Sequence, residues 1–539
     1  MLTLKGKSVS SGITIGPLAL FHRNTISTAV RPIDDAEAEV SRFQAARAAS
    51  ISQLQSLYEK AVEKVGEEQA AVFEVHQMML DDDDYVDDIV SQIRDEKLNA
   101  EAAVEHTAQN FAAMFRSMDD AYMQARAADV LDISRRVERE LCGGEGIDFS
   151  AYDHVIIAAD DLAPSETLQL DTDKILGFVT SDGSTNSHTA ILARTLGIAA
   201  VVSTGTQLHN DVDGKTAVVD GTTGTVYIDP DEETLDRMKK RQDLETRRRQ
   251  ELESVRGKES VTRDGRHIDV YANIGNPDNL PQVLSNDAEG IGLFRSEFLY
   301  LEREDWPTEE FQFDAYGQVA QEMGDRPVII RTLDIGADKQ VDYFNLSHED
   351  NPALGYRAIR ICLTRPEIFK VQLRALLRAS AYGNIAIMLP MITSVQEVRD
   401  AKRILEEAKS ELRGERIDFN ESIQIGVMIE TPASVIMADE LAAEVDFFSI
   451  GTNDLTQYTL ACDRQNPSLE RFADPHSPAV LRMIQMTIEA AHRHGIWCGI
   501  CGELGADLSL TDTFLRLGID ELSVSPTSVL PLRNVIRNH

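Results

Sequence analysis

The sequence predicts a multidomain α/β protein. A small α/β domain is interrupted by an inserted all-α helical bundle, and a long linker helix leads to a C-terminal (β/α)8 barrel. Three observations predict it. At 539 residues the chain is too long for one hydrophobic core. Its first half passes from short β-rich runs into a long helical stretch and back again. Its second half repeats an apolar strand followed by a helical stretch eight times.

Residues 1–22 and 145–228 alternate short β-rich runs (HVIIAA, ILGFVT, TAVVDG, TVYID) with Gly and Asp turns and one clear helix, HTAILARTLG. Between them, from about Val30 to Arg139, Ala, Glu, Gln and Arg dominate, and apolar residues recur three and four positions apart. This is a helical bundle, assigned to residues 23–144. Residues 231–258 contain no Pro, carry their only Gly next to the end, and are charged almost throughout. They read as a solvated connecting helix that buries little surface, with the linker bounded at 229–260. From about Ile268 the runs IDVYANI, GIGLFRS, PVIIRTLD, NIAIMLPM, IQIGVMIE, VDFFSIGTND, IWCGICGE and ELSVSP alternate with helical stretches, so residues 261–539 read as a TIM-type barrel.

Composition narrows the partners. A hydrophobic fraction of 42% and a charged fraction of 27% are ordinary for a folded chain. Ninety acidic residues against 53 basic ones give a net charge of -37, which repels nucleic acid and anionic lipid and favours a basic protein partner. No run approaches the roughly 18 apolar residues of a membrane span. The start MLTLKGKSVSSGITIGP is broken by Ser, Gly and Pro where a signal peptide needs an apolar core, which predicts a cytoplasmic protein. Five Cys are too sparse for a disulfide framework and agree with a reducing compartment.

The loop DGSTNSH runs directly into a helix that starts at His188, so a group carried on His188 would lie near free amide donors at a helix N-terminus. That is a place for an anion, and neutral imidazole is a good nucleophile. In the second half Arg295, Arg331, Asp334, Glu430, Asn453, Asp454 and Cys501 each follow an apolar strand core, where barrel enzymes keep their catalytic groups. Arg side chains suit phosphate and carboxylate oxygens, and Glu430 with Asp454 suits a hard divalent ion such as Mg2+. Phosphoryl transfer asks for little else, since positioning and charge neutralisation supply most of its rate.

Cys501 could donate a proton to an enolate carbon if nearby charge tunes its pKa. The competing reading, a redox or zinc site formed with Cys498, lacks a second CxxC. Gly214, Lys215 and Thr216 imitate the end of a Walker A motif, but His209 stands where its first Gly belongs, so the segment reads as a turn before a strand. No other nucleotide signature is present, and the phosphoryl donor is expected not to be ATP.

Four stretches, GSTNSHTAILAR, GIGLFRSEFLY, RTLDIGADK and DFFSIGTNDLTQYTLACDR, backed by MIETPAS, NPALGYRAIR, CGELGAD and LSVSPTSVL, closely resemble the Enzyme I family of phosphoenolpyruvate-protein phosphotransferases along essentially the whole chain. The resemblance implies a swivelling α/β phosphohistidine domain in which His188 is phosphorylated and Thr167 orients its ring. It implies that Arg295, Arg331, Asn453, Asp454 and Arg464 hold phosphoenolpyruvate, that Glu430 and Asp454 bind Mg2+, and that Cys501 protonates the enolate to give pyruvate. Lys339 and Arg357 would be supporting residues. VFEVHQMMLDDDDYVDDIV and YMQARAADVLDISRRV look like the bundle that docks the phosphocarrier HPr, with the acidic run Asp81 to Asp84 beside Met78 and Met79 suiting a basic, partly apolar partner.

A homodimer through the barrel is implied as well, and His188 would have to visit both the barrel and the bundle. Two departures from the family pattern stand out: Ser184 and Asn186 in the His188 loop, and Ala337 in RTLDIGADK. A pyruvate-phosphate dikinase or phosphoenolpyruvate synthase would share the His domain and the barrel but needs an ATP-binding domain. A catalytically dead scaffold that senses phosphoenolpyruvate would have no reason to keep His188, both metal ligands and Cys501.

Overall fold

The computed structural model describes residues 1–21, 28–65, 67–118, 121–143, 153–162, 164–167, 170, 172–185, 187–206, 209–301, 303–336, 341–464, 466–469 and 471–539. The chain forms two compact units, Met1–Arg248 and Arg249–His539.

In the first unit, strands β1 (Leu2–Lys5), β2 (Lys7–Ser10) and β3 (Ile13–Leu20) precede helices α1 (Ala36–Val65), α2 (Glu67–Asp81), α3 (Asp83–Asp95), α4 (Ala100–Arg116) and α5 (Ala121–Leu141). The chain returns through β4 (Val155–Ala159), α6 (Pro164–Thr167), β5 (Ile175–Thr180), α7 (His188–Leu196), β6 (Ala199–Val202), β7 (Thr216–Asp220) and β8 (Thr225–Ile228). The strands form one sheet in the order β1-β8-β7-β3-β4-β5-β6-β2. β3 joins its halves, pairing parallel with β4 and antiparallel with β7. The bundle is therefore an insertion, since it leaves the sheet after β3 and the chain re-enters at β4. β6 escapes the sequence reading because AAVV is short and Ala-rich, yet all four of its residues are buried.

The bundle buries Phe43, Leu54, Phe73, Ile89, Val104 and Ile133, each such side chain contributing about 1.5–3 kcal/mol. Asp82 caps α3 by accepting a hydrogen bond from the Tyr85 backbone N–H at 3.1 Å.

Helix α8 (Glu232–Glu253) follows β8. The expectation that this charged segment buries little holds only for its later turns. Thr234 and Met238 are buried, and Met238 packs with Ile13 and Val218 of the sheet. Arg241 pairs with Asp220 at 2.7 Å, and the Gln242 amide donates to the Ile13 carbonyl at 2.9 Å. Buried Met238, with partly buried Leu235 in the same cluster, is enough to dock a helix whose composition otherwise reads as solvated.

The second unit is a closed barrel of parallel strands β9 (Asp269–Ile274), β10 (Ile291–Arg295), β11 (Val328–Arg331), β12 (Ile385–Leu389), β13 (Gln424–Ile429), β14 (Phe447–Ile450), β15 (Trp497–Ile500) and β16 (Glu521–Val524), with β16 closing on β9. Helices follow the strands and cover them. The strands read as continuous apolar runs because both faces are buried. On β12, Ile385, Ile387 and Leu389 face the helix layer, while Ala386 and Met388 face the barrel interior with Tyr271, Leu293, Ile329, Met428 and Phe447. The same alternation splits the CxxC. Cys498 belongs to the outer core and Cys501 to the interior, so both are free and buried on opposite faces. No described helix is long and apolar enough to cross a membrane.

Candidate functional site

At the carboxyl ends of the strands the barrel opens into a cavity of about 1040 Å³. Arg295, Arg331, Glu430, Asn453, Asp454, Arg464 and Cys501 all line it, with Asp334 and Arg357. Strand ends set these positions: Arg295 and Arg331 end β10 and β11, while Glu430 and Cys501 are the first residues past β13 and β15. Asn453 and Asp454 sit in the first turn of helix Thr452–Leu460, and Arg464 lies just beyond that helix.

Arg331 is held rigidly. One guanidinium nitrogen lies 2.9 Å from Asp334 and the other against the Glu297 carboxylate. The two carboxylates raise the Arg331 pKa against the effect of burial. Arg357 donates to Asp334 at 2.8 Å and to the Tyr458 hydroxyl at 3.3 Å, and it lies 3.8 Å from Asp454. Arg464 is exposed and 3.7 Å from Asp454. Arg295 has no ion pair among the described residues and is exposed to the cavity, where desolvation by the surrounding walls, then the Arg331 charge, pushes its pKa down. The Asn453 side-chain oxygen accepts from the Glu503 backbone N–H at 3.2 Å.

Glu430 accepts one hydrogen bond, from the Met391 N–H at 2.6 Å, and its other oxygen is buried with no partner. One oxygen of Asp454 is likewise buried without a hydrogen bond. Burial, then the charges of Asp454 and Asp334, push the Glu430 pKa up. Two crowded carboxylates, each with an oxygen that accepts no hydrogen bond, fit a divalent cation, which would relieve their repulsion. Elsewhere His267, Asp269 and Glu289 approach one another closely enough to share an ion. They sit at the amino ends of β9 and β10, and both Glu289 oxygens already accept backbone N–H groups, from Ser260 and Val270.

The Cys501 thiol is buried, and burial pushes its pKa up to about 12, with the Ser449 hydroxyl pulling the other way. Nearby charge acts on it in both directions, with the Arg331 guanidinium lowering it. Glu521 and Glu430 raise it further, so the group is a protonated thiol at neutral pH. It can give a proton but cannot act as a ready thiolate.

In the first unit His188 is the first residue of α7, and Ser187 caps the helix by accepting from the Ala190 N–H at 3.4 Å. The loop before it is braced where Arg194 donates to the Thr185 carbonyl at 2.7 Å, and Gly183 takes a φ of +89° that favours glycine. Thr167 is buried on α6, which packs against α7. The side chain of His188 and the residues Asn186, Ala337 and Lys339 lie outside the described residues. On the bundle, Met78 is exposed, but Met79 packs against the core, Asp81 pairs with Arg47 at 2.7 Å and Asp82 is the α3 cap. The acidic run is thus partly occupied by local structure. Gly214 makes the expected turn before β7, with φ +73°.

Sequence reasoning missed Glu297, Tyr458 and Ser449. Glu297 lies two residues past Arg295 and carried a signal as a carboxylate just beyond a strand end. Tyr458 and Ser449 carried none.

Three family profiles match the chain: the PEP-utilising enzyme N-terminal domain over residues 5–126, the mobile domain over 151–224 and the PEP-binding domain over 249–539. A phosphoenolpyruvate-protein phosphotransferase of Staphylococcus carnosus (strain TM300) is 44% identical over 99% of this chain and 94% of its own length. One of Bacillus subtilis (strain 168) is also 44% identical, over 99% and 94%. A solution structure of an Enzyme I protein is 32% identical over 45% of this chain and 99% of that chain, with a TM-score of 0.39 that lends no support to the fold. A 44% identity carried along nearly the whole length, with all three domain profiles in order, means that the chain belongs to the PEP-utilising enzymes, among the phosphoenolpyruvate-protein phosphotransferases.

Proposed function

We propose that the phosphoryl group of phosphoenolpyruvate passes first to His188 and then to a histidine of the small phosphocarrier protein HPr, with release of pyruvate. That the chain is a phosphotransferase using phosphoenolpyruvate in the sugar phosphotransferase system follows from its family. The assignment of residues is our own. Arg295, Arg331, Asn453, Asp454 and Arg464 hold the substrate, and Arg357 fixes Asp334 and Asp454. The His188 imidazole attacks phosphorus, the P–O bond to the enol oxygen breaks, and its electron pair becomes the pyruvate enolate. Cys501 then gives its thiol proton to the enolate carbon.

The observation that carries this reading is the charge balance of the cavity. Arg295, Arg331, Arg357 and Arg464 face six acidic residues, Glu297, Asp334, Glu430, Asp454, Asp463 and Glu503, so a substrate trianion needs a further cation to enter. Glu430 and Asp454, each with an oxygen that accepts no hydrogen bond, would hold Mg2+, which when bound supplies neutralising charge to the phosphoryl oxygens.

We assign residues 1–22 and 145–228 to the phosphohistidine domain, 23–144 to the HPr-binding bundle, 229–260 to the linker and 261–539 to the barrel. The bundle would meet HPr around exposed Met78 and the acid-rich start of α3. The reading also includes a homodimer through the barrel and a cytoplasmic location. Exchange of label between pyruvate and phosphoenolpyruvate in the presence of Mg2+ tests it. Exchange is expected, and its absence would point to a scaffold that binds phosphoenolpyruvate without turning it over.

A further inference from the structure

Once Cys501 has given up its proton it must be recharged, and although it lines the cavity the residue is only 2% exposed. The residues beneath it within the barrel are unusual. Glu521, on β16, is 1% exposed, and neither of its carboxyl oxygens has a hydrogen-bond partner. Burying a carboxyl with no partner does not serve stability.

Two glycines give this carboxyl its room. A Cβ on Gly292 would stand 2.6 Å from one Glu521 oxygen, and a Cβ on Gly499 would overlap the other. Gly499 lies between Glu521 on one neighbouring strand and Ser449 on the other, in direct register with both. The Glu521 carboxyl therefore lies across Gly499, in the row that Ser449 completes. Cys501 follows Gly499 by two residues on the same inward face, about 6–7 Å along the strand. Its thiol faces the Ile450 carbonyl at 3.7 Å, and the buried Ser449 hydroxyl beside it, like the Glu521 carboxyl, has no hydrogen-bond partner among the described residues and so is free to turn toward either.

We infer that Glu521 is the proton reservoir that recharges Cys501, acting through the Ser449 hydroxyl. This rests on the reading of Cys501 as the proton donor. The thiol gives its proton to the enolate carbon and becomes a thiolate. Ser449 passes a proton to the thiolate and takes one from the Glu521 carboxyl group, which becomes a carboxylate. Glu521 recovers a proton from water at the amino end of the barrel, where Tyr271 faces both Glu521 and half-buried Asp269.

The titratable groups around Glu521 are Asp269 and Tyr271 on β9, Asp520 beside it, Cys498 on β15 and Cys501 just past that strand. Burial, then Asp269 and Asp520, push the Glu521 pKa well above the usual carboxylate range, so it holds a proton to give. Glu521 touches no substrate, and its role is to keep Cys501 in its working state.

The test uses the full chain with Mg2+, phosphoenolpyruvate and pyruvate carrying both carbon label and methyl tritium. Carbon exchange into phosphoenolpyruvate can cycle on the proton that Cys501 itself holds, whereas release of tritium to water needs the relay. In Glu521→Gln the ratio of tritium release to carbon exchange should fall roughly tenfold or more. Glu521→Asp, which keeps an exchangeable proton, should recover part of it. An unchanged ratio in Glu521→Gln overturns the relay. So does wild-type protein that exchanges carbon but retains its tritium, a result that needs no variant to fold. Cys501→Ala should lose both signals. If it keeps both, the reading of Cys501 fails, which is distinguishable from failure of the relay alone.

Discussion

Arg331 and Asp334 form a pair 2.9 Å apart that is buried on both sides, and Asp334 at the same time holds Arg357 at 2.8 Å. One carboxylate thus aims two guanidinium groups into the cavity. Asp334→Ala leaves both buried arginines short of a counter-charge, and we expect a loss of about 3–5 kcal/mol in stability. Thermal unfolding should show it, together with a raised KM for phosphoenolpyruvate. A melting temperature equal to that of the wild type would mean that the pair is not needed to hold the site.

Mg2+ should stabilise the protein through Glu430 and Asp454. At about 100-fold above its dissociation constant the ion should add about 2–3 kcal/mol to the wild type. It should add little to Glu430→Gln or Asp454→Asn, because each removes a negative charge from the pair. Melting curves with and without Mg2+ check this, and equal gains in wild type and variants would place the ion elsewhere.

The buried thiols should be slow to alkylate, since the thiolate is the reactive form. Burial pushes Cys501 up to about 12, while Cys142 is exposed. A haloacetamide should label Cys142 first and leave activity intact. Peptide mass spectrometry locates the label, and early modification of Cys501 would contradict the buried, protonated thiol described above.

Much of the barrel and its cavity was legible in the sequence, for a physical reason. Strands buried on both faces are continuous apolar runs, and a polar residue just past each run is a candidate for the open end. The pairing of Glu297 with Arg331 was not legible. It spans 34 residues and exists because β10 and β11 are neighbours in register. The gap above Gly499 was hidden in the same way, since it needs Ser449 and Glu521 brought alongside by two strand pairings. The docking of α8 turned on a few residues, Thr234, Met238, Arg241 and Gln242, within a segment whose overall charge argued for solvent.

The bundle should lose stability as the pH rises. Burial, then the neighbouring Glu105, push the Glu138 pKa up to about 8. The folded form therefore holds this proton more tightly than the unfolded form, so the contribution is complete below the ordinary carboxylate value and is lost as pH climbs through about 8. Glu138→Gln should flatten that decline and raise stability at alkaline pH. Denaturant titrations of both proteins across this range check it, and parallel pH profiles would contradict the shift.

The central claim is that His188 carries the phosphoryl group, and the most direct measurement is incubation with phosphoenolpyruvate labelled in its phosphoryl group, with Mg2+. The account predicts an acid-labile, base-stable label on the wild type that passes to added HPr and is absent from His188→Ala. Label that persists in His188→Ala, or no label on the wild type, would contradict it.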